Sequence, residues 1–279
     1  MTVSMVFVST NETEVLIPAL ESLFAEPTRH DVQVVVIDNA STDDVVERVA
    51  AMSPDIKVIT REQNYGLPAN LNLGITNSNG EYVMLCNSDL IFKPGSVDAL
   101  ADFLDSHPTA GMVAPRLMSP DDSVRVSARR WYTFFVLAAL KGPWQRAAAS
   151  WKPLRESVYE DWDFKSARSV DWVPCPATMV RRAAFEQVGL MDERFRLYFD
   201  DVDISLRMHE AGWEVWCEPR AEIVHLEQRS SVRPLSKAWR WHLSSLVKFW
   251  WKHKGLKPRR SIQVLGPTNA PPPTEPHRG

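Results

Sequence analysis

Apolar residues first fall in short runs separated by longer stretches where they recur every three or four positions. The runs Ser4 to Val8, Val32 to Ile37, Ile56 to Ile59 and Tyr82 to Cys86 are mostly apolar and lack regular polar alternation. Strands covered on both faces read this way. Between them, Val15, Leu16, Ala19, Leu20 and Leu23 keep helical spacing, as do Val45, Val46, Val49 and Ala50. Leu71 to Ile75 and Val97 to Leu104 predict two further helices, the first entered through the turn Asn64-Tyr65-Gly66-Leu67-Pro68. Strands alternating with helices imply right-handed crossovers and a mostly parallel sheet, a Rossmann-like half over 1–117.

The pattern weakens from Met118 to Val170. Arg129-Arg130-Trp131-Tyr132, the apolar run Thr133 to Leu140, and Trp144, Trp151 and Trp162 suit either a sugar or lipid contact or an irregular excursion packed on the core. Strand texture returns over Trp172 to Val180, broken by Pro174 and Pro176. Helices are predicted over Arg182 to Val188, stopped by Gly189, and Ile204 to Ala211, stopped by Gly212. Trp213 to Cys217 and Ala221 to His225 predict two more strands. Pro234 to Arg260 carries no acid, and Leu235, Trp239, Leu243, Leu246, Val247 and Trp250 form one helical stripe. This helix either packs its stripe on the domain or lies on an anionic membrane. Trp241, off the stripe beside Lys237 and Lys248, fits the second reading. The division is a main domain over 1–232, with halves 1–117 and 118–232, a basic Trp-rich helical extension over 233–260, and a Pro-rich tail over 261–279 expected to be disordered.

The 279 residues are 44% hydrophobic and 24% charged, so the chain is globular, and a net charge of -3 argues against a nucleic-acid binder. Three cysteines without a CxxC pair fit a reducing compartment, with Cys86 and Cys217 as buried fillers. No basic segment precedes the first apolar run, and no run approaches the ~20 residues of a membrane span. A cytoplasmic protein is expected, peripheral on the inner face of the plasma membrane if the C-terminal helix binds lipid.

Ligands of open α/β sheets sit beyond the carboxyl ends of the strands. Two strand tips there carry carboxylates, Asp38 in Asp38-Asn39-Ala40-Ser41-Thr42-Asp43 and Asp89 in Asn87-Ser88-Asp89. A third acidic cluster, Asp200-Asp201-Val202-Asp203, opens a helix with more acid than capping needs, since one Asp supplies ~1 kcal/mol there. Thr10-Asn11-Glu12 after the first strand replaces the G-x-G-x-x-G of dinucleotide enzymes, and no P-loop is present.

These blocks occur in a particular order. Val36 to Asp43, Asn64-Tyr65-Gly66, Asn72-Leu73-Gly74-Ile75, Gly80-Glu81-Tyr82, Asn87-Ser88-Asp89, Arg181 to Phe185, Gly189 to Phe195, Tyr198 to Asp203, Arg207, Ala211-Gly212-Trp213 and His225 follow one another over about Val3 to Ser231. In this order and spacing the chain resembles the inverting family 2 glycosyltransferases of GT-A fold, close to their bacterial rhamnosyltransferase-like branch. The resemblance implies that Asp38 accepts hydrogen bonds from a pyrimidine base and that Thr10, Asn11 and Asn64 line the nucleotide pocket. Asn87-Ser88-Asp89 stands at the Asp-x-Asp position, so Asp89 would bind Mg²⁺ or Mn²⁺ bridging the donor diphosphate, with His225 as a further contact. An amide at the first position removes one charge and leaves much of the coordination to the diphosphate. Asp201 matches the general base and Asp200 orients the acceptor, while Asp203 reads as a helix-start residue. Trp172 and Ala177 fall where the family shapes the sugar pocket. The implied donor is a dTDP- or UDP-sugar, with rhamnose first choice, and the acceptor a glycan or polyprenol-linked saccharide. A sugar nucleotidyltransferase and a catalytically silent glycan-binding protein are the rivals. The first should carry a Gly-rich, Arg-containing loop where Thr10-Asn11-Glu12 stands, and paired retention of Asp89 and Asp201 opposes the second.

Overall fold

The computed structural model describes residues 1–25, 28–133, 136–137, 151–196, 198–226 and 237–255, the side chains of 237–239 excepted. The apolar runs form parallel strands β1 (Thr2–Ser9), β2 (Asp31–Asp38), β3 (Lys57–Thr60) and β4 (Tyr82–Asn87), in spatial order β3-β2-β1-β4, with β3 a partly exposed edge strand rather than one covered on both faces. Helices α1 (Thr13–Phe24), α2 (Val45–Met52) and α3 (Leu67–Thr76) connect them in turn. Because successive strand residues point to opposite faces, each strand feeds two cores. Met5, Phe7, Val34, Val36 and Met84 pack with Leu16, Leu20 and Val49 on one face. Val6, Val8, Val35, Ile37 and Leu85 pack with Leu71 and Ile75 on the other. Each such fully buried side chain contributes roughly 1.5–3 kcal/mol. Helix α3 lies so close to β1 that a Cβ at Gly74 would come within 2.2 Å of Val6 Cγ1. Only glycine permits that approach.

Beyond β4 the sheet changes direction. β8 (Ala177–Arg181) runs antiparallel between β4 and β6 (Ala110–Met118). β9 (Glu214–His225) lies parallel to β6, and β5 (Leu90–Phe92) and β7 (Arg168–Ser169) pair antiparallel with β9. Among the described residues, β8, β5 and β7 oppose the common direction of the other strands, so the sheet is mixed and mostly parallel. The two strands expected over Trp213 to Cys217 and Ala221 to His225 are one, β9, whose ladder with β6 slips where Pro115 and Arg116 face Glu218 and Glu222. The bulge passes over Pro219, which cannot donate to a ladder. β6 itself was not signalled by the sequence, because Gly111 and Pro115 interrupt its apolar run. The remaining helices are α4 (Ser96–Ser106), α5 (Lys152–Glu156), α6 (Arg182–Val188), α7 (Asp200–Glu210) and α8 (Lys237–His253).

Several motif residues are architectural. Asn72 donates its amide to the Met191 carbonyl and accepts the Met191 N–H, both at 2.9 Å, tying α3 to the loop before α7. Arg207 donates to the carbonyls of Val188, Gly189 and Leu190 and pairs with Asp203 at 2.8 Å. Asp203 is fully buried and also meets Lys252 at 2.6 Å and His253 at 2.7 Å. It therefore does more than begin a helix: it fastens α8 to α7. Phe249 is equally buried, in a cluster with Phe195, Phe199, Val202, Leu206 and Trp172. The apolar stripe is only partly the face of α8 that docks, since of its members Leu246 packs against this cluster. Ser245 and Phe249 are buried, whereas Leu243, Val247 and Trp250 of the stripe are about half exposed. The 261–279 tail, Trp144 and Leu235 lie outside the described residues, as does most of the run from Thr133 to Leu140.

Candidate active site

Parallel register brings the carboxyl ends of three strands to one edge: Ser9 pairs with Asp38, and Val8 with Asn87. Side chains sew these tips together. Asn39 donates to the Thr10 hydroxyl at 3.0 Å and accepts the Tyr65 N–H at 3.1 Å. Asn11, at φ 56°, accepts the Thr42 N–H at 2.7 Å. Asp38 is buried and accepts the Ser41 N–H through one carboxylate oxygen at 3.0 Å. Asn64 accepts the Gly66 N–H at 3.1 Å. Thr10, Asn11, Asp38 and Asn64 thus belong to one connected edge, with the Arg61 guanidinium 3.8 Å over the Tyr65 ring beside it.

The tip of β4 continues through Asn87-Ser88-Asp89 into β5. Pairing of Leu90 with His225 sets the histidine alongside, and His225 Nε2 stands 3.2 Å from Asp89 Oδ1. The Ser88 hydroxyl donates to the carboxylate of Glu12. Glu12 occupies the N-cap of α1 without capping it, while Asp43 accepts the Thr13 N–H and hydroxyl instead. Burial raises the Glu12 carboxyl above its usual range, the Ser88 hydroxyl pulls it back, and the charge of Asp89 raises it again.

Among the described residues no three His, Cys, Asp or Glu side chains converge as a metal cage. Asp89 and His225 supply one carboxylate and one imidazole, which fits a divalent cation whose other ligands are substrate oxygens and water.

A cavity of about 570 Å³ opens at this edge. Asn87 and His225 line it from β4 and β9, and Arg125 and Arg129 from the segment after β6. Pro174, Cys175 and Pro176 line it ahead of β8, and Tyr198, Asp200 and Asp201 at the start of α7. Two consecutive bulky residues, Tyr198 at φ 64° and Phe199 at φ 66°, turn the chain into α7. Left-handed backbone at non-glycine residues costs ~1–3 kcal/mol each. The packing of Phe199 against Phe249 and of Tyr132 against Phe199 holds it.

Asp200 and Asp201 are an interacting pair. Burial raises both carboxyls; the charge of Asp201 adds to the rise at Asp200. The Val202 N–H and the Arg129 guanidinium work the other way on Asp201 and favour its charged form. The pair therefore shares protons unequally, with the charge favoured on Asp201.

Trp172 and Ala177 are buried behind the wall that Pro174, Cys175 and Pro176 form. The Trp172 ring packs in the α7–α8 cluster and donates to the Arg130 carbonyl at 3.0 Å. Glu12 and Arg125 enter the site with no role expected of them, while Arg129 and Tyr198 come from stretches already noted, the first as a possible sugar or lipid contact and the second within a motif. For Glu12 the signal was a third acid-bearing strand tip beside Thr10 and Asn11. The two arginines come from a stretch without periodicity.

A mostly parallel sheet with an acid-lined cavity at its carboxyl edge is the architecture of a GT-A glycosyltransferase. Residues 4–189 match the model of "Glycosyl transferase family 2". The chain belongs to that family and is a glycosyltransferase. It is 31% identical to the N-acetylglucosaminyl-diphospho-decaprenol L-rhamnosyltransferase of Mycobacterium tuberculosis over 256 residues, 85% of this chain and 82% of that one. It is 23% identical to rhamnosyltransferase WbbL of Escherichia coli, over 66% of this chain and 70% of the relative. Among solved structures, mannosyltransferase PcManGT from Pyrobaculum calidifontis, in complex with GDP-Man and Mn²⁺, has a TM-score of 0.58 at 18% identity over 82% of this chain. The chain spans 58% of that structure's length. S. aureus TarS 1–349 in complex with UDP-GlcNAc has a TM-score of 0.60 at 15% identity, covering 90% of this chain and 67% of that one. The structural likenesses speak for the fold.

Proposed function

We propose that this chain is a metal-dependent inverting rhamnosyltransferase. Its donor is a nucleoside diphosphate sugar, dTDP-rhamnose before a UDP-sugar, and its acceptor a lipid-linked saccharide of a surface polysaccharide. The observation that supports this reading is a single cavity lined by Asn87 and His225 on one side and by Asp200 and Asp201 on the other, with Asp89, which does not itself line it, 3.2 Å from His225. The M. tuberculosis relative, whose name gives a diphospho-decaprenol acceptor, supports the acceptor class.

In this reading the base sits at Asp38, with Thr10, Asn11 and Asn64 around the nucleotide and Asn87 and Ser88 near the diphosphate. Asp89 and His225 would hold a Mn²⁺ or Mg²⁺ ion, which would supply charge neutralisation for the departing nucleoside diphosphate. The acceptor oxygen bonds to the anomeric carbon as the bond from that carbon to the diphosphate oxygen breaks, and the configuration inverts. The hydroxyl proton passes to Asp201, whose upward shift brings it nearer the working pH of a general base. Asp200, the partner more strongly pushed towards its neutral form, orients the acceptor by hydrogen bonding.

The test is release of nucleoside diphosphate over a panel of donors, with and without EDTA. EDTA abolishes release, and Asp201→Asn lowers turnover by roughly a hundredfold or more while donor affinity persists. Asp89→Ala weakens Mn²⁺-dependent donor binding in calorimetry. Normal turnover by Asp201→Asn removes the base assignment, and full activity in EDTA removes the metal.

A further inference from the structure

Helix α8 has two dissimilar sides. The inner side is fixed by Phe249, which is fully buried, and by Lys252 and His253 on Asp203. Lys252 also reaches Asp192 at 2.6 Å. The outer side carries Leu243, Val247, Trp250 and Trp251, with exposures of 46%, 48%, 48% and 71%. Arg240 and Lys248 are exposed on or beside the same side, Lys254 is exposed just past the helix end, and α8 contains no acid. Positions 240, 243, 247 and 250 recur every three or four residues, and 251 follows 247 by four, so these five form one stripe along the helix. A soluble helix turns its aromatic residues inward. Here Trp250 and Trp251 face outward, Trp241 is half-buried with the Arg196 guanidinium 4.9 Å over its ring, and the inward contacts include an ion-pair network. Lys248 donates to the Arg194 carbonyl at 2.9 Å, so its charge sits at the edge of the stripe.

We propose that the outer side of α8 docks in the plane of an anionic lipid bilayer. The chemistry is complementary at both depths. Leucine, valine and indole rings suit the boundary between headgroups and acyl chains, and the flanking Arg and Lys suit lipid phosphates. The rings of Trp250 and Trp251, 5.4 Å apart and nearly perpendicular, present two interfacial anchors at one end of the helix. A self-associating surface would instead be expected to mix both signs of charge around its apolar centre, and none of these exposed groups is acidic. The other side of the same helix supports the cavity: the His242 ring packs 4.8 Å from that of Tyr198 and 5.4 Å from that of Phe199, and Tyr198 lines the cavity wall. Docking through α8 therefore sets the lipid surface and the cavity wall on opposite sides of one helix.

The full chain is sedimented with vesicles of phosphatidylcholine alone and of phosphatidylcholine with phosphatidylglycerol. Binding is expected to the anionic vesicles, with a blue shift of tryptophan fluorescence, and to weaken at high salt. The double substitution Trp250→Glu and Trp251→Glu, at exposed positions, lowers vesicle affinity roughly tenfold or more while the melting temperature is kept. The proposal is overturned if the wild-type chain stays in the supernatant, if both vesicle types bind alike, or if the double variant sediments as well as the wild type. A dimer in light scattering that the double substitution dissolves, without vesicle binding, assigns the stripe to a second copy. The readout is binding, so its failure leaves the glycosyl-transfer reading standing, and an inactive donor panel leaves this one.

Discussion

Asp201 illustrates how one side chain's chemistry depends on neighbours remote in sequence. Its burial opposes ionisation, and Arg129, from a segment seventy residues earlier, favours it. Removing that cation raises the Asp201 carboxyl further. A general base works only when deprotonated, so its activity is lost as pH falls through its pKa. Arg129→Ala is therefore expected to move the acid limb of the kcat/KM profile to higher pH and leave the alkaline limb in place. A limb that stays still, or moves to lower pH, separates Arg129 from the base. From the sequence, Asp200 and Asp201 were legible as acid in excess of what a helix start requires. Arg129 was legible only as part of an Arg–Trp–Tyr contact stretch and not as their partner, because only tertiary structure sets it near Asp201.

Single elements show the same division. β1, β2 and β4 could be read because a strand buried on both faces needs an unbroken apolar run, and little else fits that pattern at that length. β6 has the same burial but contains Gly111 and Pro115, and its place is fixed by β8 and β9 rather than by local preference. β5 and β7 are short pieces that exist because β9 offers them a partner. For α8, periodicity found a stripe but not its direction. The docking side rests on Phe249, Lys252 and His253, and two of these are polar. Phe249→Ala is thus expected to destabilise the protein by ~3 kcal/mol and lower the melting temperature by several degrees. Trp251→Ala, one residue along and mostly exposed, leaves it nearly unchanged. Calorimetry on the two variants decides which side of the helix faces the domain, and equal effects would reverse the assignment.

At the scale of the molecule, alternation of strands and helices was enough to foresee a Rossmann-like sheet and the edge at which chemistry collects. Convergence of the two halves on that edge was not visible in periodicity, since it depends on His225 at the end of β9 meeting Asp89 at the end of β4. The ordered set of short motifs carried that information instead. Asn72 with Met191 is a tie that holds the halves together, and Arg207 with Val188 to Leu190 braces the second half internally.

β8 has a consequence for how the molecule is made. It fills the centre of the sheet between β4 and β6, yet it leaves the ribosome sixty residues after β6 ends. Until then the nascent polypeptide has two open strand edges and no way to join them. A chain terminated at Met118 is accordingly expected to be recovered as insoluble material rather than as a folded nucleotide-binding unit. A soluble fragment with a cooperative melt would show the opposite. Synthesis of this enzyme thus has a late checkpoint, with the middle of the sheet among the last parts to be delivered.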